Sequence, residues 1–405
     1  MSHITGVLGI AVLLGIAWLM SNNRRNIPWK MVGWGLLLQL VFALFILKTP
    51  LGQPFFRWFN TLIQKLLSFS DAGSDFLFKS FGAGVVEGPL MNFAFRVLPT
   101  IVFFSSLMAV LYYYGIMQWV VRGIARLMQK TLKTSGAETL SVSANIFVGQ
   151  TEAPLMIRPF VERMTQSELM TVMTGGFATV AGGVMAMYVR MLADIPGIAG
   201  HLMAASIMSA PAALIVSKII FPETERPETL EVSRIEVEKT EDNGMEALAK
   251  GATDGMKLAA NVAAMLMAIV AMIALVNSVL GLLGTSLEEL LGWVFRPLAW
   301  TMGAPWNEAG TLGSLMGKKL VLTELIAYSD LSALRLEHAI SDRTAIIASY
   351  ALCGFANFAS IGIQLGGIGG MAPSRRSDLA RLGLKAMIGG AIASWITASI
   401  AGLLI

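Results

Sequence analysis

Apolar runs of roughly twenty residues, the length a helix needs to cross a bilayer, recur along the chain. They lie at 4–21, 31–47, 93–114, 169–191, 201–221, 253–283, 343–370 and 382–404. Lipid offers no partners to backbone N–H and C=O groups, so such segments must satisfy their hydrogen bonds internally, as helices do. Only 14% of residues are charged, against about 25% in soluble domains. The reading is an all-α polytopic membrane protein whose first partner is the lipid bilayer. The net charge of +4 is spread over the connecting loops and predicts no nucleic-acid partner.

Two further stretches, 139–160 and 303–329, are apolar but interrupted. The first holds Gly149-Gln150-Thr151-Glu152 ahead of Pro154. Proline lacks an N–H, and its ring clashes with the carbonyl four residues back. A helix arriving through Asn145 to Val148 is therefore expected to break near Gly149. About 22 residues make two legs of about 15 Å each, which suits a re-entrant hairpin better than one crossing. The second stretch opens on Trp306-Asn307-Glu308 and carries Thr323-Glu324 at its expected tip. The count is then eight transmembrane helices plus two re-entrant helical hairpins.

The remaining segments are connectors. Residues 51–88 alternate aromatic and basic side chains, as an interfacial helix does, and 287–300 are also amphipathic. Residues 116–138 read as a basic loop with Arg122 and Arg126, and 371–382 as another. The Glu-rich stretch 222–252 reads as a solvated linker between two halves. Lys and Arg in short loops set orientation, which puts the loops at 22–30, 116–138 and 371–382 in the cytoplasm and both termini outside. The stretch 4–21 has no basic region before it and is expected to be retained rather than cleaved. The single Cys353 excludes a disulfide framework. The three histidines, His3, His201 and His338, lie near segment ends without a second ligand at metal spacing, and are expected at water or the interface.

The halves share a pattern. Thr151-Glu152 precedes Gly176-Phe177-Ala178, and Thr323-Glu324 precedes Gly354-Phe355-Ala356. Three spans separate the two Thr-Glu pairs, and an odd number of crossings inverts the second copy. Inverted repeats with paired broken helices mark secondary transporters whose substrate binds near the midplane. The corresponding division is 1–138 mainly scaffold, 139–221 transport repeat 1, 222–252 linker, 253–300 scaffold span and amphipathic helix, and 301–405 transport repeat 2.

A carboxylate at bilayer depth is costly and marks a functional site. Glu152 and Glu324 are two such groups, suited to accepting hydrogen bonds from hydroxyl or ring N–H groups, or to carrying a proton. Gln150, Thr151, Asn357 and Ser360 add neutral donors and acceptors, a set that fits a polyhydroxylated or heterocyclic solute. No Lys or Arg lies within these motifs, which argues against a phosphate or dicarboxylate substrate. Asn145, Thr179 and the carbonyls freed after Val148 are neutral oxygens of the kind that coordinate Na⁺ in broken-helix transporters. Phe355 reads as packing by periodicity, with Asn357 and Ser360 beside it. There is no HExxH, Walker A or CxxC motif, and no cofactor is expected. An intramembrane enzyme using Glu152 and Glu324 as acid and base is a remote alternative, as is a passive channel.

Asn145 to Pro154, Pro305-Trp306-Asn307-Glu308-Ala309 and Cys353 to Ile361 together resemble bacterial concentrative nucleoside transporters, over nearly the whole chain. The resemblance implies a Na⁺-coupled nucleoside symporter of the bacterial inner membrane, a homotrimer working by alternating access. It implies Gln150, Thr151, Glu152 and Val184 near the base, and Glu324, Asn357, Ser360 and Phe355 near the ribose. Its sodium site would map to Asn145, the Val148 carbonyl, Thr179 and the Val180 carbonyl. Thr323, Leu325 and Thr179 depart from the family pattern. Proton coupling through a carboxylate is the alternative.

Overall fold

A computed structural model describes residues 2–49, 54, 56–67, 98–230 and 241–405. The described residues are helices joined by short connections, with no strand among them. In chain order they are α1 (Ser2–Leu19), α2 (Trp29–Lys48), α3 (56–67), α4 (Leu98–Tyr113), α5 (Ile116–Leu132), α6 (Gly136–Ala144), α7 (Glu152–Leu155), α8 (Arg158–Val161) and α9 (Gln166–Ala178). The second part comprises α10 (Gly182–Met191), α11 (Ile198–Ile220), α12 (Gly244–Gly281), α13 (Leu287–Thr301), α14 (Trp306–Val321), α15 (Glu324–Leu336), α16 (Asp342–Leu352), α17 (Phe358–Met371) and α18 (Arg376–Leu404).

Among the described residues, four stretches are individually long and apolar enough to cross a membrane: α2, the α9–α10 run, α11, and Pro373–Leu404. Helix α11 is buried almost throughout and packs against α2, α9 and α18. Helix α2 exposes Trp34, Leu37, Val41 and Phe45 on its far side, the composition of a lipid-facing surface. Gly35 permits the close approach of α2 and α11, because a Cβ there would lie 2.2 Å from Ile215 Cγ2. Most of the expected interfacial segment 51–88 lies outside the described residues, as do 93–97 of the third expected span.

Residues 116–132 are an amphipathic helix rather than a loop. Met117, Val121, Ala125, Met128 and Leu132 are buried, at intervals of three and four, while Arg122, Arg126 and Lys130 face outward. That spacing is the apolar stripe of a surface helix. Gly115, with φ 78°, turns the chain by 77° between α4 and α5.

The linker is shorter and less solvated than its composition suggests. Asn243 caps α12 by accepting hydrogen bonds from the Met245 and Glu246 N–H groups, so the helix begins at Gly244 instead of 253. The start of the linker is tied into a buried polar cluster. Thr229 donates to Glu168 at 2.7 Å, and Thr165 donates to Glu223 at 2.7 Å. Lys218 bridges that cluster to the base of α6 through Glu138 at 2.8 Å. Residues 231–240 lie outside the description. Helix α12 packs on α4 through Gly251 and Gly255, where a Cβ would fall 2.7 Å and 2.8 Å from the Ser106 and Val102 Cα atoms. Small residues four apart let two membrane helices meet backbone to backbone.

The basic stretch 371–382 is largely the first turns of α18, and α15 continues to Leu336, past the expected end at 329. His201 is not interfacial: its Nδ1 sits 3.2 Å from the Tyr350 hydroxyl, inside the bundle.

Candidate functional site

The first interrupted stretch is a helix, a turn and two short helical pieces. Ser135 and Glu138 form a capping box at the start of α6, satisfying two of its free N–H groups. The helix stops at Ala144, ahead of the expected break near Gly149. The reason is Asn145. Its Nδ2 donates to the Ser141 carbonyl at 3.2 Å, a local bond of the kind that competes with continued helix. Pro154 lies within the first turn of α7, where a missing N–H costs nothing. The Asn145 Oδ1 is buried with no partner among the described residues. Val148 lies in the bend that follows.

The α9–α10 run is broken at Thr179-Val180-Ala181, just after the Gly176-Phe177-Ala178 motif of the first repeat. This break lies against the first hairpin, since Gly182 N–H donates to the Phe147 carbonyl at 2.8 Å. Asn145, Val148, Thr179 and Val180 thus belong to one junction, all four buried or half-buried.

The α16–α17 run is broken at 353–357, and the two breaks touch. Phe355 N–H donates to the Thr179 carbonyl at 3.3 Å. Gly354 has φ 137°, and a Cβ there would lie 2.7 Å from the Phe177 carbonyl oxygen. Both the backbone conformation and the close approach require glycine. Ser394 of α18 closes the junction by donating to the Cys353 carbonyl at 2.7 Å.

Hairpin two places Thr323 at the N-cap of α15, with Glu324 as its first helical residue. Thr151 and Glu152 occupy the same two positions at the start of α7. The Glu324 carboxylate is buried and held at both oxygens: Tyr188 donates to Oε1 at 2.8 Å and Asn357 Nδ2 donates to Oε2 at 2.8 Å. The amide of Asn357 has no freedom to turn, because its Oδ1 accepts the Ser360 N–H at 2.8 Å and caps α17.

These elements enclose a cavity of about 170 Å³, more than ten times the roughly 10–15 Å³ a single water needs. Gln150, Thr151, Glu152, Val184, Glu324, Phe355, Asn357 and Ser360 all line it. Among the described residues, no lysine or arginine does. Tyr188, Met187, Leu258 and Ile363 line it as well and were not expected. Tyr188 follows Val184 by one helical turn on the same face, a spacing that could have found it. Leu258 comes from α12, and no sequence spacing relates it to the rest. Glu152 is exposed, unlike Glu324. Its carboxylate lies over Gly149, where a Cβ would meet it at 2.0 Å.

Other motif residues stay outside the cavity. Trp306 is exposed beneath the Arg296 guanidinium, 4.4 Å from ring centre to Cζ. Glu308 accepts from the Ser341 hydroxyl at 2.7 Å, so the hairpin entrance is a structural tie. Lys319 is fully buried five residues before Glu324, with its Nζ donating to the Ala351 carbonyl at 3.0 Å. It caps the end of α16, where unpaired carbonyls attract cations.

Comparison with known proteins adds the following. The description "Na+ dependent nucleoside transporter C-terminus" matches residues 201–402, its N-terminal counterpart residues 8–81, and "nucleoside recognition" (Gate) residues 94–195. The chain is 46% identical to the uncharacterized transporter YutK of Bacillus subtilis, with 100% of each chain covered. It is 44% identical to sodium/nucleoside cotransporter 1 of Mus musculus, over 98% of this chain and 63% of that longer protein. Among solved structures, CNTnw in an inward-facing substrate-bound state matches with TM-score 0.91 and 44% identity, covering 100% of this chain and 98% of that one. An outward-facing state of a substituted CNTnw matches with TM-score 0.90 and 43% identity over the same shares.

Proposed function

The chain belongs to the Na⁺-dependent nucleoside transporter family, and on that premise we propose that it imports uridine-like nucleosides by symport with Na⁺, through alternating access. The observation that carries this reading is the Glu324 carboxylate, fixed at both oxygens yet facing a cavity lined by neutral amides, hydroxyls and an aromatic ring. A carboxylate so placed accepts hydrogen bonds from sugar hydroxyls through its remaining lone pairs. Asn357 and Ser360 extend that edge, and Phe355 offers an apolar face. Gln150, Thr151, Glu152 and Val184 meet the base. Relatives whose names include sodium and nucleoside support the same assignment.

The coupling ion sits at the junction of Asn145, Val148, Thr179 and Val180. The buried, unpartnered Asn145 Oδ1 fits a cation, since a buried acceptor without a donor is costly unless something occupies it. Occupancy orders the turn that carries Gln150 to Glu152. The two halves act as inverted repeats, with transport elements at 139–221 and 301–405 moving against a scaffold that includes α4 and α12. The protein works as a homotrimer in the bacterial inner membrane, with both termini periplasmic.

The test is uptake of labelled uridine into proteoliposomes under imposed Na⁺ or proton gradients. Accumulation with Na⁺ alone is expected. Uptake that persists without Na⁺ and collapses with an uncoupler would replace Na⁺ by the proton. Asn145→Ala is expected to abolish stimulation by Na⁺ while leaving the protein folded; undiminished stimulation would remove Asn145 from the ion site.

A further inference from the structure

Gln364 is completely buried one helical turn beyond Ser360 on α17. Its Nε2 donates to the Met173 carbonyl at 3.1 Å and to Gln150 Oε1 at 3.0 Å. Gln150 Nε2 in turn donates to Ser360 Oγ at 3.2 Å. The direction of this chain is fixed by chemistry. A backbone carbonyl only accepts, so the atom of Gln364 facing Met173 must be the amino group. The same amino group faces Gln150, so Gln150 must present its oxygen there. The Gln150 amino group then points to Ser360, whose oxygen accepts. One amide N–H of Gln150 is left for the cavity, together with the Ser360 O–H, which no acceptor among the described residues takes.

The surroundings are shaped for this arrangement. A Cβ at Gly176 would lie 2.7 Å from Gln364 Nε2 and 3.0 Å from Gln150 Cβ, and one at Gly367 would meet Thr151 Cγ2 at 2.5 Å. Gln364 also carries a cost: its Oε1 is buried without a donor among the described residues. An apolar side chain would bury no such orphan, so packing alone does not account for a glutamine here.

We propose that Gln364 is a specificity-determining positioning residue, which locks the Gln150 carboxamide so that Gln150 offers the nucleobase a hydrogen-bond donor rather than an acceptor. The proposal rests on the transport reading above. A donor fixed at Gln150 favours a base edge carrying a carbonyl over one carrying an amino group at that place, and hence uridine over cytidine. Without Gln364, the Gln150 amide is free to rotate and offer its oxygen instead.

The experiment measures inhibition of labelled-uridine uptake by unlabelled uridine and cytidine in proteoliposomes, for the wild type, Gln364→Met and Gln364→Leu. The same pair of nucleosides is scored in parallel by thermal stabilisation of the purified proteins, which does not require transport. The wild type is expected to favour uridine, and both variants to reduce that preference about three- to tenfold, the discrimination one hydrogen bond carries. A merely structural role would weaken both nucleosides equally and leave the ratio in place. An unchanged ratio in both measurements overturns the proposal. Absence of wild-type uptake under any gradient would instead strike the transport function, which is read separately from the ratio.

Discussion

Glu324 is a buried carboxylate already oriented for the recognition role proposed for it. Tyr188 and Asn357 aim donors at its two oxygens, and Asn357 is itself locked by capping α17. The carboxylate therefore needs no rearrangement when a solute arrives, which lowers the ordering cost of binding. Glu324→Gln keeps the shape but replaces one acceptor oxygen with a donor that opposes Tyr188 or Asn357. Uridine affinity, measured by calorimetry on purified protein, is expected to fall about 10- to 100-fold, in line with loss of charge-assisted hydrogen bonds. Tyr188→Phe removes a single orienting bond and is expected to cost less, about threefold to tenfold. Equal affinity for Glu324→Gln and wild type would place the solute elsewhere.

Breaks in helices do the positioning, and most of them were legible. A break ahead of Thr151-Glu152 was legible from Pro154, and the paired breaks at 179–181 and 353–357 fall at or just after the two Gly-Phe-Ala motifs that mark the repeat. The Thr-Glu pairs were legible too, although not their shared place at the cap and first residue of α7 and α15. Helix α5 was not read, because Arg122, Arg126 and Lys130 mask an apolar stripe that only its spacing reveals. Gln364 and Lys319 are hidden in the sequence for a different reason. Gln364 meets Gln150 across 214 residues of sequence, and no local pattern in a single chain encodes such a meeting. Asn357 allows the structural and binding contributions of one cap to be separated. Asn357→Asp keeps an oxygen for the Ser360 N–H but sets a carboxylate against Glu324, whereas Asn357→Ala loses both. The thermal midpoint is expected to fall more for Asn357→Ala, since cap loss costs about 1 kcal/mol. Uridine affinity is expected to collapse in both. If Asn357→Asp bound uridine normally, the Glu324 contact would be dispensable.

At the scale of the molecule, the cavity has walls of two origins. Almost all of it comes from hairpins and broken spans, while Leu258 comes from the long helix α12, which is joined closely to α4 through Gly251 and Gly255. Helix α4 in turn touches α10, with Ser105 Oγ 3.4 Å from the position a Gly183 Cβ would take. If the proposed scaffold and transport elements move past one another, that contact lies between them. A Ser105→Cys, Gly183→Cys pair is expected to form a disulfide that stops uptake, reversed by reductant, with buried Cys353 taking no part. Full transport by the oxidised pair would show that α4 and α10 travel together. The bond from Phe355 N–H to the Thr179 carbonyl has a different kind of consequence. On the proposed assignment it joins the residue placed beside the sugar to the one placed beside the ion, so loading one is expected to change the free energy of loading the other. Thermodynamic reciprocity then fixes a single coupling factor. Whatever multiple Na⁺ adds to the affinity for uridine, uridine must add to the affinity for Na⁺, and titrating each against the other is expected to return the same number twice.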